Sequence, residues 1–238
     1  MNDDPLNEAL ERDPAMSRPV DPALLGRIAQ SIGGSLQPVR PLPPTSVLVS
    51  GLMLIGIAVA TGGAWHLGLS GLHKMSASDV AVIFPALGLL LLAAAARYAS
   101  EMIPGSRLVG AWWVLPAAVI AVLVAAFGVM FQDYGTERFV PQGMVCLTAG
   151  LALAIPAGLA SWWLLRRGFP VDSLTAGIAR GTLAGLAGIG MLELHCANFE
   201  APHVMLWHTA VAPVSAAACW LLVRGGRWMR TRRQSRAV

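Results

Sequence analysis

The chain has 238 residues, of which 55% are hydrophobic and 13% charged, with a formal net charge of +4. Its mean hydropathy is +0.62. A water-soluble domain carries about 25% charged residues, so the composition excludes an ordinary soluble globule and points to a protein whose solvent is lipid.

Residues 1–46 are the polar exception. They are rich in proline and hold Asp3, Asp4, Glu8, Glu11, Asp13 and Asp21. They lack the apolar core and small-residue cleavage site of a signal peptide, so the segment is expected to stay attached and cytoplasmic. A short amphipathic helix is predicted from Asp21 or Pro22 to about Ile32. Asp21 serves as N-cap, Pro22 takes the first helical position, and Gly33-Gly34 stops the helix. Leu24, Leu25, Ile28 and Ile32 recur at helical spacing. So short a helix is not stable alone in water. It is either the interfacial anchor of a disordered tail or a helix that binds a cytoplasmic protein. Leu36-Gln37-Pro38-Val39-Arg40-Pro41-Leu42-Pro43-Pro44 follows as a stiff, extended spacer.

Six apolar runs come next: Val47–Leu69, Val80–Ala99, Gly110–Phe131, Gly143–Leu165, Ala176–Leu194 and Val204–Val223. About 20 apolar residues cross a bilayer as a helix, and lipid excludes open strands because their backbone groups find no water. The expected fold is therefore all-α: a six-span polytopic domain over 47–223, followed by a basic tail over 224–238. Pro85, Pro116, Pro156 and Pro213 fall inside runs and are read as tolerated kinks. In the fifth run Gly177, Gly181 and Gly185 repeat every four residues, the spacing of close helix packing.

Fifteen of seventeen basic residues lie on one side of this map, and only Lys74 and Arg138 on the other. The positive-inside rule puts both termini in the cytoplasm, which an even number of spans requires. That bias also explains the basic clusters without nucleic acid as a partner. Trp65 and Trp207 are expected as anchors at outer span ends, and the other six tryptophans near inner ends.

The polar hinge Leu192–His208 separates the last two runs and holds Glu193, His195, Cys196, Glu200, His203 and His208. Cys146 lies about one turn inside the fourth run, at a depth matching Cys196 to within about a helical turn. Cys219 lies about 20 Å deeper and cannot join them. Cys146 and Cys196 are either two unrelated core thiols, a structural disulfide at an oxidising face, or a reactive or metal-binding pair. His195, His203, His208, Glu193 and Glu200 favour the last, since thiolate and imidazole suit soft and borderline metals. Yet there is no CxxC and no tight zinc spacing. On the plainer alternative, Glu193 caps the helix end at the membrane boundary and His208 simply packs in the sixth run. No phosphate loop, HExxH or nucleophile–base motif is present. No charge sits at a mid-span position, which argues against an ion-coupled transporter.

The chain resembles the NrsF family, negative regulators of sigma F, six-span inner-membrane anti-sigma factors of bacteria. The resemblance rests on Leu36–Pro44, Cys146, Leu194-His195-Cys196 and Leu206-Trp207-His208, and covers roughly Leu24 to Val223. It departs at Ala197, where the family is expected to have proline. The resemblance implies that the cytoplasmic segment, through Leu24, Leu25, Ile28 and Ile32, holds an extracytoplasmic-function sigma factor at the bacterial inner membrane. It implies release on heavy-metal stress, such as chromate or cadmium, or on oxidative stress. Carried over, the two periplasmic cysteines are Cys146 and Cys196, with His195, His203 and His208 beside them as metal- or redox-sensing residues. The metal ion is then a signal, and no cofactor is obligatory. A regulator rather than an enzyme is expected; the alternative is a membrane thiol–disulfide oxidoreductase using the same thiols.

Overall fold

The structure, a computed structural model, describes residues 21–33, 42–103, 111–168, 170 and 172–234. The acidic residues before Asp21, most of the expected spacer, Arg107 and Arg236 lie outside them. Among the described residues all regular structure is helical, with a lone bridge between Asp133 and Glu200.

The chain divides into two units, Met1–Pro41 and Leu42–Val238. In the first, α1 spans Pro22–Gly33. Asp21 caps it: the Ala23 N–H donates to Asp21 Oδ1 at 2.9 Å. Leu24, Leu25 and Ile28 are exposed.

The second unit contains α2 (Thr45–Leu67), α3 (Ala77–Glu101), α4 (Val114–Met130), α5 (Phe139–Leu165) and α6 (Ser173–His195). The last helical stretch, Ala201–Met229 in its apolar part, begins as a short turn, α7 (Ala201–His203). It widens into a π-turn over Val204–His208 and continues as α8 (Thr209–Gln234). Each expected apolar run thus carries a helix, and five are long and apolar enough to cross a membrane. The third run differs: α4 has 17 residues, about 26 Å against a hydrocarbon core of about 30 Å. Pro116 falls in the first turn of α4 rather than inside it, where a missing N–H leaves no bond unmade. Pro85, Pro156 and Pro213 lie within helices, as expected. At 224, where the basic tail was expected to begin, the helix continues to Gln234.

Helix α6 is the central element. Its most apolar window is 78% buried, against 22–33% for the other four long helices, so they face lipid and α6 faces them. It packs on α2, α3, α5 and α8. Its sequence permits this because glycine leaves no side chain at the contact. A Cβ on Gly181 would collide with the backbone of Ser215 and Ala216, and one on Gly185 with that of Ala212. Helices in lipid gain nothing by hiding apolar area, so this close approach is what holds α6 to α8.

Both ends of α6 are fixed. Asp172 caps its start, accepting from Leu174 N–H at 3.0 Å. At its end the loop after α2 is stitched on: Gly71 N–H and Leu72 N–H donate to the carbonyls of His195 and Leu194 at 3.1 Å. The Ser70 hydroxyl donates to His195 O at 2.6 Å.

Candidate metal centre

The C-terminal end of α6, the first turns of α5 and the π-turn converge on one buried cluster. Cys146 Sγ, from α5, lies 3.5 Å from Cys196 Sγ, and both are free thiols. Cys196 Sγ is 3.7 Å from His203 Nε2. The His203 and His208 rings meet edge-on with centroids 5.3 Å apart. One ligand atom from each of Cys146, Cys196, His203 and His208 lies within 4.8 Å of all the others. His203, His208 and Glu193 have no exposed surface.

Local backbone explains the convergence. His203 and His208 are five residues apart, which on an α-helix at about 100° per residue would place them about 140° apart. The π-turn between them takes an extra residue into the turn and brings both imidazoles to one side. At Cys196 the chain leaves the helix in extended geometry (φ −73°, ψ 123°). That turns the Cys196 side chain inward and carries its neighbour away. His195, expected among the sensing residues, is accordingly not in the cluster: its Nδ1 lies 2.9 Å from the carbonyl of Gly68 and ties down the loop after α2.

Glu193 was read as a boundary cap, and His208 as a sensing residue with plain packing as the alternative; the cluster contains His208. Glu193 Oε1 accepts a 2.6 Å hydrogen bond from His208 Nδ1, both side chains fully buried. This fixes the His208 ring with Nε2 turned to the sulfurs. A carboxylate behind a histidine is the usual outer partner of a metal-bound imidazole. His208 Nε2 has no hydrogen-bond partner among the described residues. A buried imidazole nitrogen without a partner is costly unless something else binds it. Two sulfurs and two imidazole nitrogens suit a borderline or soft ion in tetrahedral geometry. Cys196 lies outside the helices proper. Its thiol is held well below the ordinary value, chiefly by the hydrogen bond with Cys146 and then by His203 and His208. The thiolate is the form that binds metal.

A cavity of about 670 Å³ opens onto Cys146, Cys196 and His203, with Arg138, Gln142 and Asn198 at its wall. Asn198 Nδ2 donates to Gln142 Oε1 at 2.8 Å across its mouth. The hinge is held from below by Phe199 stacked on Phe131, centroids 5.1 Å apart, and by Ala201 N–H donating to Asp133 O at 2.6 Å. Trp207, expected as an interfacial anchor, instead lies over Gly143, the residue of α5 where any Cβ would strike its ring. Trp65 is 80% exposed, as an anchor should be. Cys219 lies apart: its carbonyl neighbours Gly177, nineteen residues along α6 from Cys196, about 28 Å at 1.5 Å per residue.

The model of a protein family described as NrsF, negative regulator of sigma F, matches residues 33–230. The chain belongs to this family. Its role is thus that of a negative regulator whose partner is a sigma factor, carried on a multi-pass helical protein. No curated protein and no solved structure matches the chain. The NrsF match covers the bundle up to residue 230 in α8, including all four residues of the Cys/His cluster, and begins at the last residue of α1.

Proposed function

We propose that this NrsF-family chain is an inner-membrane anti-sigma factor whose Cys146–Cys196–His203–His208 cluster is the receptor for a thiophilic metal ion. The cytoplasmic segment holds an extracytoplasmic-function sigma factor through Leu24, Leu25, Ile28 and Ile32, and metal binding releases it. Both termini are cytoplasmic, with α4 as the sixth, shorter span. The charge bias supports this orientation, since Lys74 and Arg138 are the two basic residues on the face that carries the cluster.

The observation that carries the reading is the set of four buried ligand atoms with Glu193 behind His208. The geometry also suggests how binding becomes a signal. Zinc-like bonds of about 2.3 Å to sulfur and 2.0 Å to nitrogen give tetrahedral edges of about 3.3–3.8 Å. The ligand atoms here spread over as much as 4.8 Å. Closing on an ion therefore draws α5, the hinge and the π-turn together by up to about 1 Å. Packed helices do not deform continuously; they repack between discrete arrangements. A coupling of about 1–3 kcal/mol between this repacking and the sigma-binding state changes sigma affinity 5- to 150-fold.

The test is a sigma-dependent reporter in cells with the Cys146→Ser, Cys196→Ser double variant. The expected outcome is loss of metal induction with repression kept; undiminished induction refutes the receptor role. A chain lacking residues 1–40 should leave sigma in the soluble fraction; continued membrane retention refutes the assigned binding segment. Two thiols at 3.5 Å also serve the alternative, a membrane thiol–disulfide oxidoreductase. Catalytic turnover of a disulfide substrate by purified protein would favour that reading.

A further inference from the structure

The opposite end of α6 holds a second constellation, which the sigma-factor reading does not use. Arg180 sits two turns inside α6, about 20 Å along the helix from Glu193. It is half buried, and its Nε has no surface and no hydrogen-bond partner among the described residues. Arg180 lines a cavity together with Tyr98, a neutral neighbour. Arg166 and Arg227 converge on the same cavity of about 420 Å³, between the ends of α3, α5 and α6 and the later turns of α8. None of its described lining residues is acidic. The acids nearby are engaged: Glu101 pairs with Arg97 at 2.9 Å, and Asp172 accepts from the Thr175 hydroxyl at 2.6 Å while its charge acts on Arg227.

Of the three guanidiniums around the cavity, Arg166 and Arg180 have no acidic neighbour among its described lining residues, and Arg180 is partly desolvated. A charge held in a low-dielectric site without a counter-charge is strongly disfavoured. A bidentate guanidinium fork matches a phosphate oxyanion better than any neutral ligand. The cavity also has an apolar side. Trp162 and Leu222 line it and are 49% and 71% exposed, on helices whose exposed faces are apolar. At the neighbouring rim Arg166 stacks on Trp163 and Arg224 on Trp220, each 5.0 Å from the ring centroid. Such pairs sit at the headgroup level of a bilayer.

We propose that this cavity is a phosphate-binding site filled by the headgroup of an anionic phospholipid. Its phosphate lies among Arg166, Arg180 and Arg227, and its acyl chains lie along Trp162 and Leu222. Basic pockets between membrane helices are suited to this role. The lipid then ties together four helices that no salt bridge among the described lining residues joins.

The test uses the full chain purified in detergent. Phosphatidylglycerol, phosphatidylcholine or inorganic phosphate is added, and bound lipid is counted by native mass spectrometry alongside the thermal midpoint. The expected result is at least tenfold preference for phosphatidylglycerol over phosphatidylcholine, with a raised midpoint. Arg166→Gln with Arg227→Gln, both exposed and so compatible with folding, should lose that preference about tenfold, as should Arg180→Gln. Arg138→Gln, at the other end, should not. Equal lipid binding by the double variant and the parent overturns the site. A full effect from inorganic phosphate alone keeps the phosphate chemistry and overturns the lipid source. Stabilisation by a peptide of residues 1–20, with none from lipid, overturns the proposal in favour of the chain's own acidic tail.

Discussion

Glu193 is the residue on which the metal centre turns. A carboxylate with no exposed surface is tolerable because His208 donates to it at 2.6 Å. Removing the charge of the acceptor, while an amide oxygen keeps its place, should loosen the imidazole without removing a ligand. Glu193→Gln is expected to weaken metal binding 10- to 100-fold, measured by competition with a chromophoric chelator; unchanged affinity would show that the ring is held by packing alone. His195→Ala is the contrast. It should leave affinity nearly unchanged, because that side chain bonds Gly68 O rather than facing the sulfurs. At the far end of α6 the Asp172 carboxyl is held below its ordinary value, first by the Thr175 hydroxyl bond. A carboxyl whose folded pKa is depressed stabilises the fold above its unfolded value, near pH 4, and loses that contribution as pH falls through the folded value. Asp172→Ala should therefore cost about 1 kcal/mol at neutral pH, as loss of an N-cap does. The gap between parent and variant in thermal midpoint should close in acid.

At the scale of elements, the glycine face of α6 makes a prediction of opposite signs. Gly185→Val drives a side chain into the Ala212 backbone and should destabilise by about 1–3 kcal/mol, as overpacking does. Gly62→Ala in α2 meets nothing within 4 Å and should be neutral or stabilising by up to about 1 kcal/mol. Thermal midpoints in one detergent check both. The helices were legible in the sequence because apolar runs and their breaks are strong signals, and α1 was legible from Asp21, Pro22 and Gly33. The depth match of Cys146 and Cys196 was legible from helix rise alone. What was hidden follows from local backbone. His203 and His208 were legible as candidates by residue type, but their shared face was not, because it depends on a π-turn that nothing in Val204–His208 announces. His195 looked like a ligand because it adjoins Cys196, yet an extended residue sends adjacent side chains opposite ways. Glu193 looked like a boundary cap because only tertiary packing buries it. Trp207 looked like an anchor because its glycine partner is 64 residues upstream.

Across the whole molecule, one buried rod joins two ends of different chemistry: sulfur and imidazole at the C-terminus of α6, guanidinium at its N-terminus. The exposed stripe of α1 belongs to a separate unit. Leu25→Glu with Ile28→Glu should abolish sigma capture in a pull-down from membranes while leaving chelator competition at the metal centre unchanged. A loss of both would mean that the units do not act independently. The wide turn after His203 carries a consequence of its own. It holds one residue more than two histidines on a common face require, since neighbours four apart on an ordinary helix already share a side. Excising Leu206, which is 52% exposed, would relax the swollen coil to regular pitch and leave the imidazoles adjacent. The shortened protein should still show the tetrahedral cobalt(II) spectrum of the parent. The bulge would then matter for how the turn seats Trp207 over Gly143, and the histidine pair would prove tolerant of a change in register.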